Sequence, residues 1–166
     1  MLIASRDAFK GARDPRHLSR LISLQYLFRK MLQRLVEKNG RRRYLYVKPF
    51  KSWIQGVMGR QPVLALLIGC NFFSEQGLLG EEQLFHCIQS IVPAARLVQH
   101  SFFSHQFSEK NLGLFYLEIE KERGEEFSTT DARKLKRELP LYLKNRTGGQ
   151  LHDLFMPKNE EEVLRD

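Results

Sequence analysis

The sequence predicts an α+β domain, a ferredoxin-like β-α-β-β-α sandwich preceded by a long basic amphipathic helix. Three observations predict this class. Apolar residues recur at helical spacing between residues 15 and 38, a continuous apolar run covers 63–69, and residues 62–146 give strand, helix, strand, strand and helix in order. The 166 residues, of which 42% are hydrophobic, suit one compact core, which excludes a disordered chain or a disulfide-stapled scaffold.

The long helix is predicted from Pro15 to Lys38. Asp14 is a suitable N-cap, Pro15 fits the first turn, and Asn39-Gly40 is a stop signal. Leucines with Phe28 and Met31 fill one broad side of the helical wheel, which suits packing on the body of the protein, on a partner or on a membrane surface. The opposite side carries the basic residues Arg16, Arg20, Lys30, Arg34 and Lys38.

Shorter elements are expected on either side of this helix. Residues 1–14 are expected to be irregular. A strand is predicted over Arg42 to Lys48, ended by Pro49, because alternating β-branched and aromatic residues favour strands and proline interrupts them. Lys51 to Gly59 is expected to form a short helix or loop that holds Trp53, the only tryptophan.

The following body is predicted from apolar spacing and turn residues. Strands are expected over 63–69, 95–103 and 113–122, and helices over 81–92 and 131–139, the second capped by Ser128 or Thr130 and kinked or ended by Pro140. The fourth strand of a ferredoxin-like sheet would come from 42–48 or from 151–156. Glu118 and Glu120 share one strand face and are expected to be solvated.

The chain is therefore divided into a basic N-terminal region, 1–60, an α+β body, 61–146, and a linker with a C-terminal tail, 147–166. Asn159 starts a helix-like pattern that the end of the chain cuts short. This pattern indicates a fragment of a longer protein, a tail that docks on another surface, or a frayed end.

Charge is distributed unevenly along the chain. The net charge is +8, from 27 Lys and Arg against 19 Asp and Glu. Residues 1–60 contain 15 basic and 3 acidic residues, whereas the other 106 contain 12 and 16. This segregation is typical of proteins that bind polyanions. The alternative is a basic segment that folds back on the acidic body or on a partner.

The segment from Arg41 to Trp53 interleaves cations with aromatic rings. Cations neutralise phosphates and release counterions, and exposed rings stack on unpaired bases. The alternative is that Tyr44 and Tyr46 are ordinary strand residues that pack under the helix. The predicted nucleic-acid-binding residues are Arg34, Lys38, Arg41, Arg42, Arg43, Tyr44, Tyr46, Lys48, Lys51 and Trp53.

Catalytic signatures are missing from the sequence. It contains no metal-ligand spacing, no phosphate-cradling glycine loop and no nucleophile elbow, so no catalytic residue, metal or cofactor is predicted. We therefore expect a non-enzymatic accessory protein that binds nucleic acid, RNA rather than DNA. The alternative is a protein-interaction module that oligomerises, or docks on a larger partner, through its amphipathic helix and sheet.

The expected location is cytoplasmic, with the mitochondrial matrix as the alternative. The two cysteines show no paired spacing and the N-terminus lacks a secretory pattern. No apolar run approaches the ~20 residues of a membrane span, so none is predicted.

Overall fold

A computed structural model describes residues 7–39, 42–56, 59–72, 80–107, 111–147 and 151–153. The protein is α+β, as predicted. The helices are α1 (Asp7–Gly11), α2 (Pro15–Asn39), α3 (Glu81–Ile91) and α4 (Thr129–Thr147), with a 3-10 turn at Glu122–Gly124. The strands are β1 (Arg43–Gly56), β2 (Gly59–Cys70), β3 (Ala95–Leu97), β4 (Phe103–Phe107), β5 (Leu112–Lys121) and β6 (Leu151–Asp153).

The strands form one sheet in the order β3-β5-β2-β1-β6, and β4 also pairs with β5. All pairings are antiparallel except that of β1 with β6. β1 and β2 pair along their length, so residues on both sides of position 60 share the sheet. β1, which precedes β2 in the chain, lies between β2 and β6. The ferredoxin-like assignment stays a prediction.

Helices cover both faces of the sheet. On one face, α2 packs on the sheet and forms the first core. In this core, leucines and Phe28 of α2 lie with Tyr46 and Tyr116 of the sheet. The other core packs α3 and α4 on the opposite face, against alternate residues of the same strands. β2 and β5 are consequently buried on both faces, which explains the continuous apolar run over 63–69.

The helix predicted over 15–38 is α2. The Asp14 Oδ1 atom accepts a hydrogen bond from the Arg16 amide at 2.7 Å, so the predicted N-cap is confirmed. The buried residues of α2 are His17, Leu21, Leu24, Phe28 and Leu32. The apolar side therefore packs on the body of the same chain. Among the helices that the structure describes, none is both long and apolar enough to cross a membrane.

Two strand predictions were wrong. β1 continues through Pro49 to Gly56, where a helix or loop had been expected. Among the described residues, β6 pairs with Arg43–Leu45 and β2 is the strand neighbour of Pro49, so a missing N–H is tolerated there. The strand expected over 95–103 is split into β3 and β4, and His100 between them has a positive φ of 58° that no regular strand contains.

Helix predictions were closer to the structure. The Ser128 Oγ atom accepts from the Asp131 amide at 3.0 Å, which confirms Ser128 as a cap of α4. α4 then continues through Pro140. The N-terminal segment expected to be irregular contains α1. The helix start predicted at Asn159 lies outside the described residues.

Candidate nucleic-acid interface

The structure separates the predicted binding residues into two groups. Arg34, Lys38, Arg42, Lys51 and Trp53 are exposed, Arg43 and Lys48 are half-buried, and Tyr44 and Tyr46 are buried. Arg41 lies outside the described residues. The cations of this segment are thus at or near the surface, and its two tyrosines are in the interior.

Tyr44 and Tyr46 belong to the core beneath α2. Their side chains are 6% and 1% exposed, and the Tyr46 ring packs edge-on against Phe28 with centroids 4.7 Å apart. The prediction that these two rings stack on bases is therefore wrong. The reason is that the amphipathic helix covers this face of β1, as the alternative interpretation proposed.

The exposed side of α2 carries a line of cations. α2 contains six basic residues and one acidic residue. Five of the basic residues lie on one side of the helix, which we call the basic face and define as Arg16, Arg20, Lys30, Arg34 and Lys38. Within the described part of the chain, none of the five forms an ion pair. The basic face extends for about 33 Å, at a rise of about 1.5 Å per residue.

Two aromatic rings are exposed in the same region of the sequence. Tyr26 is 54% exposed, and the Lys30 Nζ atom lies 4.7 Å from its ring centroid. Trp53 is 37% exposed, and the Arg60 Cζ atom lies 5.2 Å from its centroid. Each ring is therefore paired with a cation, the combination that single-stranded nucleic-acid sites use.

A pocket of about 240 Å³ opens at the N-terminal end of α2. We call it the α2 pocket. The first turns of α2 and the strands β1 and β2 form its walls, and its lining residues are Asp14, Arg16, His17, Arg20, Lys51, Ser52, Trp53 and Arg60. Arg16 and Arg20 belong both to this pocket and to the basic face, so the two surfaces are continuous.

Most cations around the α2 pocket have no acidic partner within the described ranges. Burial lowers the pKa of Arg20, and its guanidinium lies 5.1 Å from the Phe50 ring centroid without an acidic partner among the described residues. Lys51 lies 3.7 Å from the Glu126 carboxylate, but both side chains are about half exposed. Asp14 is the acidic residue of the lining, and its Oδ1 atom caps α2. The pocket therefore has an excess of positive charge.

A buried polar network closes the floor of this pocket. The Ser52 Oγ atom lies 2.5 Å from His17 Nδ1, and His17 Nε2 lies 3.0 Å from the Tyr116 hydroxyl. The Tyr116 hydroxyl donates to Glu118 Oε1 at 2.5 Å. Because this proton is committed to Glu118, His17 donates from Nε2 and accepts the Ser52 proton at Nδ1 when the ring is neutral.

Glu118 is the centre of this network and not a solvated residue, so that expectation was wrong. β5 is a central strand, and the Glu118 side chain is fully buried. Burial alone would raise the pKa of the carboxyl. Hydrogen bonds from His17, Arg13 and Tyr116, with the charge of Arg13, hold the pKa below its ordinary value. The Arg13 guanidinium, itself 6% exposed, forms an ion pair with it.

This network also raises the pKa of Tyr116. Burial is the largest cause, followed by the negative charge of Glu118. Tyr116 therefore stays neutral and donates its proton to the carboxylate.

Hydroxyl, imidazole and carboxylate in series also occur at nucleophilic active sites. Here the Glu118 carboxylate forms an ion pair with Arg13 and accepts a hydrogen bond from Tyr116, so it is not dedicated to His17 as the carboxylate of such a site is. Arg13 itself is held by a β-bridge to Ile54. The network therefore joins the start of α2 to β1 and β5, and it positions the walls of the α2 pocket.

Sequence reasoning missed most of this site. His17 could have been found, because it continues the buried spacing of Leu21 and Leu24 toward the start of α2. Arg13 and Ser52 carry no comparable signal, since their partners are distant in sequence.

No family model, curated protein or solved structure matches this chain.

Proposed function

We propose that this protein is a non-enzymatic accessory protein that binds nucleic acid, RNA in preference to DNA, through the basic face and the α2 pocket. The observation that carries this proposal is the line of cations on α2 that have no acidic partner among the described residues. The ferredoxin-like arrangement and the cytoplasmic location remain parts of the proposal.

The lack of acidic partners for these cations in the described part of the chain supports a polyanionic ligand. A surface arginine or lysine in an intramolecular ion pair has part of its charge neutralised, whereas cations without such a partner keep their full charge for phosphates. Arg42 is exposed, and its amide donates to the carbonyl of Asn39, the last residue of α2, so its positive charge lies near that end of the helix.

The exposed rings favour a single-stranded ligand. Tyr26 and Trp53 can stack only on bases that are not already stacked in a duplex. We therefore expect single-stranded RNA to bind more tightly than duplex DNA of the same length.

The alternative, a module that oligomerises or docks on a larger partner, would use the apolar side of α2 and the sheet. The apolar side of α2 is buried against the sheet, with Leu21, Leu24 and Leu32 fully inaccessible, and helices cover both faces of the sheet. A membrane-surface role for the helix would need the same residues. The exposed side of α2 is the side left for a ligand.

The test is fluorescence anisotropy with a labelled single-stranded oligoribonucleotide at low salt. The double variant Arg34→Ala/Lys38→Ala removes two exposed cations from α2. The matched control Arg133→Ala/Lys134→Ala removes two exposed cations from α4, in the opposite helical layer. Single-stranded DNA and duplex DNA of equal length are the comparison ligands.

We expect the α2 variant to weaken binding at least tenfold and the α4 variant to change it less than threefold. Equal losses in both variants would show that binding follows net charge and not the basic face. Absence of any complex between the wild-type protein and RNA at low salt would refute the proposed function.

A further inference from the structure

We propose that the α2 pocket binds the terminal phosphomonoester of a nucleic-acid strand, or of a free mononucleotide, while the basic face binds the strand behind it. This inference rests on the proposed function and assigns the pocket its ligand. The starting observation is that three cations, Arg16, Arg20 and Arg60, converge on one small cavity without acidic partners among the described residues.

The charge in the pocket suits a dianion. With Lys51, four cations line the cavity, and Asp14 is the one carboxylate among the described lining residues. A phosphodiester within a strand carries one negative charge, whereas a phosphomonoester carries ~1.5 to 2 near neutral pH. The spaced cations of the basic face match successive diesters, and the convergent cations of the pocket match the end group.

The position of Arg20 supports an anion here. Its guanidinium lies 5.1 Å from the Phe50 ring centroid, and desolvation lowers its pKa. A bound phosphate would compensate that desolvation with charge-assisted hydrogen bonds. The first amides of α2 contribute little, because Pro15 has no N–H and the Arg16 amide already donates to Asp14.

The floor of the pocket favours a chain end over a passing strand. Ser52 and His17 are buried there and hydrogen-bonded to each other, so the cavity ends at the sheet. Because the Ser52 proton is directed to His17, the arginines and Lys51 supply the donors for a phosphate. The cavity volume of about 240 Å³ accommodates a phosphate with part of its sugar, and Trp53 lies at its wall.

Trp53 supplies a direct readout, because it is the only tryptophan and it lines the pocket. Tryptophan fluorescence of the full chain would be titrated with adenosine monophosphate, with adenosine and with inorganic phosphate. We expect a saturable change with adenosine monophosphate at concentrations at least tenfold lower than with adenosine. Inorganic phosphate should compete with the nucleotide.

Two variants locate the binding. Arg16→Ala and Arg60→Ala, both at exposed positions, should each weaken adenosine monophosphate binding about tenfold or more, as loss of a charge-assisted contact implies. Arg133→Ala, an exposed arginine of α4, should leave it unchanged. No saturable signal, or equal binding of adenosine and its monophosphate, would overturn the inference.

Oligonucleotides with different ends distinguish this inference from the proposed function. Anisotropy would compare one RNA sequence with a 5′-phosphate, with a 3′-phosphate and with hydroxyl ends. A preference of about tenfold for one phosphorylated end, lost in Arg60→Ala, supports the pocket. Equal binding of the three RNAs refutes the inference and leaves the proposed function standing. If none of the three RNAs binds, the proposed function is refuted.

Discussion

Replacing Glu118 by glutamine removes the charge at the centre of the buried network and keeps its shape. The carboxylate is fully buried, and the paired Arg13 side chain is 6% exposed. The variant leaves the Arg13 guanidinium in the interior without a counter-charge. Breaking a buried ion pair in this way costs about 3–5 kcal/mol. A domain of this size has a total stability of about 5–15 kcal/mol, so the loss is a large part of it.

Urea unfolding, followed by far-ultraviolet circular dichroism, measures the free energy of unfolding of both proteins. The matched control is Glu120→Gln, on the same face of β5. Glu120 is half-buried and accepts a hydrogen bond from Gln61, so we expect a cost below about 1 kcal/mol. If Glu118→Gln costs no more than Glu120→Gln, the assignment of Glu118 as the anchor of the network is refuted.

Three further predictions concern packing, pH and stacking. Gly69→Ala places a Cβ atom 2.9 Å from Leu32 Cδ1 between α2 and the sheet, and urea unfolding should show a loss of about 1–3 kcal/mol; an unchanged midpoint would contradict this tight packing. The pKa of Glu118 is lower in the folded than in the unfolded state, so its stabilisation is present above the unfolded pKa of about 4.3 and is lost as the pH falls through the folded pKa. As the pH is lowered, the melting temperature of the wild type should fall more steeply than that of Glu118→Gln. Parallel curves would show that Glu118 is not the origin of the acid-dependent loss of stability. Tyr26→Ala should weaken RNA binding by about 1–3 kcal/mol if its ring stacks on a base, whereas Tyr142→Ala, at another exposed tyrosine, on α4, should not.

The elements that the sequence predicted well depend on local patterns. α2 has a capping residue, a proline in its first turn and a regular apolar side, all within 25 residues. α3 and the buried strands β2 and β5 were predicted from the spacing of their apolar residues. In these segments the secondary structure that the local sequence favours is also the one that buries its apolar residues in the fold.

The predictions that failed depend on where an element lies in the sheet. Whether Pro49 ends β1 depends on how far β6 extends along it, and sequence spacing does not show this. The environment of Glu118 depends on β5 being central and on Arg13, which lies 105 positions away in the chain. Residues of β1 alternate between the two faces of the sheet as predicted, but only the packing of α2 shows that the face with Tyr44 is covered.

The candidate site was predicted only in part, because some of its features are local in the sequence and others are not. Charged and aromatic residues can be read from the sequence, so the positive N-terminal region, Lys51 and Trp53 were identified. The pocket itself requires the start of α2, β1 and β2 to meet, so nothing in the sequence placed Arg60 beside Arg16 and Arg20.

The salt dependence of RNA binding tests the central claim most directly. Six cations, the five of the basic face and Arg42, are available to neutralise phosphates. With a slope of about −0.7 per phosphate contact for single strands, the logarithm of the association constant should fall with the logarithm of salt concentration at a slope of about −4. A slope near zero, or no complex at low salt, would contradict a function in nucleic-acid binding through this surface.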